Sequence, residues 1–215
     1  MGGVGFIVRL MIISLLFSDP LLYFMAAVSI VLALSVHEYA HAQMADFLGD
    51  HTARDMGRLT INPLAHLDPI GALLILTLGF GWGRPVPFNP FGIRNKKWGP
   101  AMVAGAGAAS NLLMAILVGI ILRIGIFSNP GLLRFFLKFI QLNIFLAIFN
   151  LIPIPPLDGS HILSAMLGRK AEAYHMIMAR NGIFSLFFAI LFMMYFGVPY
   201  IAMPIFDLIV GAGIF

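Results

Sequence analysis

The sequence has no cysteine among its 215 residues and carries few charged side chains. Without cysteine there can be no disulfide bonds and no thiolate metal sites, so His, Asp or Glu would have to hold any metal ion. Charged residues make up 10% of the chain, against about a quarter in a typical soluble domain. Hydrophobic residues make up 60%, and the mean hydropathy is +0.98. This composition predicts an integral membrane protein.

The apolar runs predict an all-α fold with five to six transmembrane helices, because a helix of about 20 residues crosses a bilayer. We expect a single polytopic membrane domain covering 1–215, with its C-terminal helices at about 183–215. The final apolar part is interrupted around Gly197-Val198-Pro199, which indicates two short spans. The other spans are expected at about 4–17, 20–46, 100–122 and 132–152, and an interfacial helix at 160–180.

The segment 69–82 is apolar but too short to cross a membrane as a helix. It contains Gly71, Gly79 and Gly81. We therefore predict a short re-entrant, β-hairpin-like segment, which at membrane depth has to lie against protein or a water-filled cavity.

The net charge of +4 and the pI of 9.7 do not indicate nucleic acid as a partner. The cations lie beside apolar segments and do not form a stripe with interleaved aromatic residues, so we expect a lipid bilayer as their environment. They are concentrated on the connectors that follow the 20–46 span. The positive-inside rule then predicts a multi-pass protein of the cell (cytoplasmic) membrane, with the C-terminal end of this span near the cytoplasmic face.

Residues 37–41 read His37-Glu38-Tyr39-Ala40-His41 and lie near the C-terminal end of the strongest apolar helix, the 20–46 span. The H-E-x-x-H spacing on a helix puts two imidazoles one turn apart on the same face, beside a glutamate that can act as a general base. Ionisable groups at membrane depth are costly, about 2.5–3.5 kcal/mol for a charge on insertion scales. Three of them within one turn therefore indicate a metal site.

A second motif supplies a carboxylate at the end of the 132–152 span, at Asn150-Leu-Ile-Pro153-Ile-Pro-Pro156-Leu-Asp158-Gly159. Its prolines break the helix, and a broken helix end at membrane depth indicates a cavity. This span returns to the side on which the pentapeptide lies. A catalytic zinc site needs a third protein ligand, so the two motifs are candidates for one site.

With these motifs the chain resembles the site-2 protease family of intramembrane zinc metalloproteases, peptidase family M50. Two further motifs support the resemblance, a G-x-x-x-N at Gly107–Asn111 and the connector at 62–69 (NPLAHLDP). The resemblance covers about 20–165, the expected catalytic core. Within the family, the chain resembles the minimal prokaryotic members, which have no PDZ or CBS domains.

The resemblance implies an intramembrane zinc metalloendopeptidase that cleaves a transmembrane protein or peptide substrate within or near its membrane segments. It implies His37, His41 and Asp158 as ligands of one zinc ion per chain. It also implies Glu38 as the catalytic acid/base and Asn150 near the scissile peptide. The sequence leaves the substrate, the need for an earlier cut and the oligomeric state open.

Simpler roles for these residues stay open at this stage. Asp158 could cap the following helix, and Asn150 could bond a carbonyl within the bundle. The small residues around Gly105 and Gly107, with Asn111, could form a packing face that lets two helices approach closely. At the level of function, the alternatives are a divalent-metal transporter and a catalytically inactive scaffold that binds membrane helices.

Overall fold

The computed structural model describes residues 16–78, 82–125, 129–180 and 182–211. Helix α1 comprises Pro20–Phe47 and is the longest continuous α-helix in this part of the chain. Its start is fixed by Asp19, whose side chain accepts a hydrogen bond from the Leu22 N–H at 3.0 Å, and by Pro20 in the first turn. With 28 residues it is about 42 Å long, more than the about 30 Å hydrocarbon core of a bilayer.

Four helical segments of the described chain are long and apolar enough to cross a membrane. They are α1, α5 (Gly99–Arg123), α6 (Pro130–Asn150) and a C-terminal segment, Phe184–Val210. The protein is therefore a multi-pass membrane protein, and the predicted spans at 100–122 and 132–152 are confirmed. The predicted first span, about 4–17, lies almost entirely outside the described residues.

The C-terminal segment is one continuous helix and not the two short spans that we predicted. It runs from α9 (Gly182–Phe192) through a π-helical stretch (Met193–Ala202) into α10 (Met203–Val210). Pro199, part of the predicted break, lies inside the π-helical stretch. Proline lacks an N–H, but a wider turn with local adjustment of the hydrogen bonds lets a membrane helix continue past it.

The segment predicted as a hairpin is helical in its described part, α4 (Pro69–Leu78), and its residues 79–81 lie outside the described ones. Asp68 explains the difference: its side chain accepts the Gly71 N–H at 2.8 Å, while Pro69 provides a preorganised first helical residue. Gly83, beyond this helix, forms an isolated antiparallel bridge with Leu67, which directly precedes Asp68.

Short helices connect and flank the spans. The polar connector after α1 contains α2 (Thr52–Asp55) and α3 (Pro63–His66). After α6 come α7 (Gly159–Leu167), a 3-10 turn, and α8 (Ala171–Arg180), so the predicted helix at 160–180 is confirmed as helical.

The largest apolar core lies between α5, α6 and the C-terminal helix, with Ile140, Ile144 and Met193 almost completely buried at its centre. Helix α1 packs against α5 and α6 on another side of these helices. The end of α1 that carries the pentapeptide therefore lies beside α5, in a position where the chain that follows α6 can also reach it.

Candidate metal centre

The pentapeptide occupies the last third of α1, and its ionisable side chains are buried. His37 is 3% exposed, and Glu38 and His41 are each 9% exposed. The two imidazole rings lie one helical turn apart on the same face, with their centroids 4.5 Å apart and their planes nearly perpendicular. The sequence spacing thus gives the paired arrangement that we predicted from it.

Asp158 reaches this face from the irregular chain after α6. Its Oδ2 lies 3.1 Å from His37 Nε2 and 3.2 Å from His41 Nε2. The fold at this point depends on Gly159, since a Cβ there would stand 2.2 Å from the Leu151 carbonyl oxygen. The three potential ligand atoms all lie within 4.8 Å of one another, so the structure brings together the residues predicted as metal ligands.

The Asp158 carboxylate faces the imidazoles and does not cap α7. Asp158 stands at the N-cap position of α7, but its side chain makes no capping hydrogen bond there. The capping role, which the sequence left open, is therefore not the one that the geometry favours.

The outer nitrogen of His37 is held by an asparagine from α5. Its Nδ1 lies 2.7 Å from Asn111 Oδ1. The Asn111 amide nitrogen donates to the Ala33 carbonyl at 3.0 Å and to Asn143 Oδ1 at 2.9 Å. Asn143 in turn donates to the Phe139 carbonyl at 2.9 Å. Since Asn111 uses its nitrogen on two acceptors, its oxygen faces His37, and His37 Nδ1 must carry the hydrogen.

The outer nitrogen of His41 is held in the same way by the backbone of α5. His41 Nδ1 lies 2.7 Å from the Val103 carbonyl oxygen, which can only accept, so this nitrogen also carries a hydrogen. In the neutral form, each ring then turns the lone pair of Nε2 toward Asp158. Second-sphere partners of this kind fix the tautomer of metal-binding histidines.

This donor set fits a zinc ion. Two imidazole lone pairs and a carboxylate oxygen that face one another at 3.1 and 3.2 Å repel unless a cation or a proton lies among them. Ligands in a tetrahedral zinc site, each about 2.0–2.1 Å from the metal, are separated by about 3.4 Å, close to these distances. Three protein ligands leave a fourth position open, as in catalytic zinc sites.

Gly107 lets α5 approach the two imidazoles closely. A Cβ at this position would lie 2.5 Å from His41 Cε1 and 2.6 Å from His37 Cε1. The small-residue face that we predicted as an alternative role is thus part of the site, since it allows Val103 and Asn111 on the same helix to reach the histidines.

Glu38 stands outside the cluster of three ligand atoms. Its Oε2 accepts a hydrogen bond from the Val86 N–H at 3.2 Å, from the chain between α4 and α5.

The side chain of Asn150 bonds within its own helix. Asn150 ends α6 and donates its amide to the Leu146 carbonyl one turn earlier at 3.0 Å, which is the bundle contact that the sequence left open. Its predicted place near the scissile peptide stays a prediction.

Sequence reasoning missed the groups that support the residues of the site, namely Val103, Asn143 and Val86. Asn143 could have been noticed as a polar residue in the middle of an apolar span, where an unpartnered amide is costly. The other two act through backbone atoms, which carry no sequence signal.

Comparison with known proteins agrees with this geometry. The protein named "Putative zinc metalloprotease YwhC" from Bacillus subtilis is 40% identical over 149 residues, which cover 65% of this chain and 68% of that protein. The chain belongs to peptidase family M50. The profile of Peptidase family M50 itself matches residues 117–194, which include Asp158.

A second relative supports the assignment. "Putative zinc metalloprotease Rip2" from Mycolicibacterium smegmatis is 33% identical over 156 residues, which cover 66% of this chain and 57% of that protein. No solved structure gives a significant match. The family predicted from the motifs is thus confirmed, and with it the enzyme class, a metalloprotease, and the cofactor, zinc.

Proposed function

We propose that this M50 member is an intramembrane zinc metalloprotease that hydrolyses peptide bonds within or near transmembrane segments of membrane proteins. The observation that carries the proposal is the convergence of His37, His41 and Asp158 at one end of a membrane-spanning helix. In this proposal the three residues hold one zinc ion. A metal site among apolar helices is poorly accessible to a soluble substrate. A substrate that is itself a membrane helix can approach it from the lipid.

The chemistry assigned to the chain is general acid/base catalysis next to the metal. When bound, zinc lowers the pKa of a coordinated water to about 7 and polarises a carbonyl oxygen. Glu38 takes the proton of the attacking water and later passes it to the amine that leaves. Its position supports this role, since it is buried beside His37 but stands outside the three-ligand cluster.

Asn150 is proposed to bind the substrate carbonyl at the scissile bond. An amide donor directed at the developing oxyanion would stabilise the transition state. Its place at the last turn of α6, shortly before the Asp158 turn, supports the role. The side chain would have to exchange its bond to the Leu146 carbonyl for one to the substrate.

The substrate must be locally unwound before cleavage, because a helix holds its carbonyl oxygens in its own hydrogen bonds.

We further propose that the protein lies in the cell (cytoplasmic) membrane with the site nearer the cytoplasmic face. The concentration of lysine and arginine on the connectors after α1 supports this orientation.

The test is cleavage of a panel of single-span reporters by the purified protein in proteoliposomes, followed by mass spectrometry of the products. Cleavage should be lost with a chelator and restored by zinc. Glu38→Gln should keep one zinc per chain and lose at least about 100-fold in rate, as expected for loss of a general base. Metal uptake into the same vesicles without cleavage would indicate a transporter instead, and binding of reporters without cleavage would indicate a scaffold.

A further inference from the structure

The chain between α4 and α5 passes beside Glu38 in a stretch without regular secondary structure, Arg84 to Phe88, called here the 84–88 segment. Its conformation follows from the sequence, because Arg84 precedes Pro85 and Val86 precedes Pro87, and a residue before proline is restricted to extended backbone. Proline has no N–H, so Val86 provides the only backbone donor between Pro85 and Pro87. That donor binds Glu38 Oε2 at 3.2 Å.

The start of the 84–88 segment is held by the connector after α1. The Arg84 N–H donates to the His66 carbonyl at 2.8 Å, and the Arg84 carbonyl accepts from Arg58 Nη2 at 2.7 Å. His66 is fully buried, and its Nε2 lies 2.6 Å from the Thr60 carbonyl. Both backbone groups of Arg84 are therefore fixed, two residues before the donor to Glu38.

Arg58 is an unusual anchor because its guanidinium is buried. The residue is 8% exposed, and among the described residues its Nε has no hydrogen-bond partner. Burial and the charge of Arg84 lower the pKa of Arg58, while the nearby charge of Glu38 opposes this effect. Burying a guanidinium is costly, and this one lies within electrostatic range of Glu38.

We propose that Val86 and Arg58 are positioning residues for Glu38: the Val86 N–H orients the carboxylate, and Arg58 holds the 84–88 segment so that this N–H stays in place. A glutamate side chain has three rotatable bonds, so a bond to Oε2 restricts how Oε1 faces the reacting water. The inference rests on the proposed protease function and adds two residues to it. Neither is a catalytic residue, since both act through Glu38.

The first experiment removes the N–H and little else. Val86→Pro deletes the donor in a segment whose extended backbone suits proline, and Val86→Ala shortens the side chain but keeps the donor. We expect Val86→Pro to lower kcat about 10- to 100-fold with KM and zinc content within about twofold of wild type. Val86→Ala should keep kcat within about threefold. Equal losses in both variants, or no loss in Val86→Pro, would overturn the proposal.

The second experiment tests the anchor and decides the matter if Val86→Pro fails to bind zinc. Arg58→Met keeps the length of the apolar stem but removes the donor, whereas Arg58→Lys keeps a donor for the Arg84 carbonyl. We expect Arg58→Met to lower kcat about 10-fold or more and Arg58→Lys to recover most of it. Equal kcat in the two variants would contradict the proposal.

Failure of the proposed function looks different in these assays. In that case the wild-type protein itself cleaves no reporter, whatever the variants do. Active wild-type protein with unaffected Val86 and Arg58 variants would leave the protease function standing and remove only the positioning roles.

Discussion

His37 of α1 donates its Nδ1 hydrogen to the Oδ1 of Asn111 on α5 over 2.7 Å, in the buried interior between the two helices. This bond fixes the tautomer and the plane of the ring, and it directs Nε2 toward Asp158. The orientation of the first imidazole is thus set by a neighbouring helix and not by the H-E-x-x-H motif.

Asn111→Leu should weaken zinc binding about 10- to 100-fold, the usual cost of losing a second-sphere partner of a metal ligand. The leucine has similar size but cannot accept the His37 hydrogen. Zinc affinity, measured by competition with a chelator of known affinity, tests the prediction. Ser110→Ala is a matched control at the preceding position of α5, because the Ser110 hydroxyl donates to the Gly107 carbonyl and not to His37. Unchanged affinity in Asn111→Leu would show that the bond does not support the site.

Gly107→Ala should disrupt the metal centre, because the added Cβ would stand 2.5 Å from His41 Cε1. Overpacking of this kind costs about 1–3 kcal/mol, and here it would displace His41, a proposed zinc ligand. We expect zinc content and proteolysis to fall together. Gly105→Ala is the control: among the described residues its Cβ would meet only Ile162 Cδ1, at 4.0 Å, so it should behave like wild type. Similar zinc content in both variants would refute the close approach.

Asn150→Leu should lower kcat about 100-fold while zinc content stays at one per chain, if the amide stabilises the oxyanion. If Asn150 only bonds the Leu146 carbonyl, the substitution should change thermal stability and leave kcat within a few-fold. Single-turnover rates together with metal analysis separate the two outcomes.

Asp50 should stabilise the connector after α1 in a pH-dependent way. It is buried and accepts hydrogen bonds from the Thr52 N–H and the Asn89 N–H. Burial raises the pKa of its carboxyl, but the bonds from Thr52 and Asn89 outweigh burial and lower it. A lowered folded pKa means that the stabilisation is complete above the ordinary value of about 4 and is lost as pH falls through the folded pKa.

Asp50→Asn should therefore destabilise the protein by about 1.5–3 kcal/mol at neutral pH, the range for hydrogen bonds to a charged group. Thermal unfolding in detergent should show a difference from wild type that shrinks as pH falls below about 4. Asp55→Asn, an exposed control in the same connector, should show little difference at any pH. A constant difference for Asp50→Asn across pH would exclude the charge as its cause.

Two features of the fold were beyond sequence reasoning. Pro199 looked like the end of a span, but whether a membrane helix breaks at proline depends on how its neighbours and local π geometry satisfy the backbone. The apolar, glycine-containing segment after Asp68 looked like a hairpin, yet its described part is a helix that Asp68 caps. The periodicity of a short apolar run does not distinguish a helix from a strand.

The residues of the site likewise fall into those that the sequence predicts and those that it does not. The membrane class and the pairing of His37 with His41 follow from the sequence alone, because composition sets the solvent and helical periodicity sets which side chains share a face. The sequence also marked Asp158, through the prolines that end α6. The folded chain was needed to show that this carboxylate meets both imidazoles, that Asn111 and the Val103 carbonyl set their tautomers, and that the Val86 N–H holds Glu38. Those contacts join helices and loops far apart in the chain, and several use backbone atoms that every residue has in common.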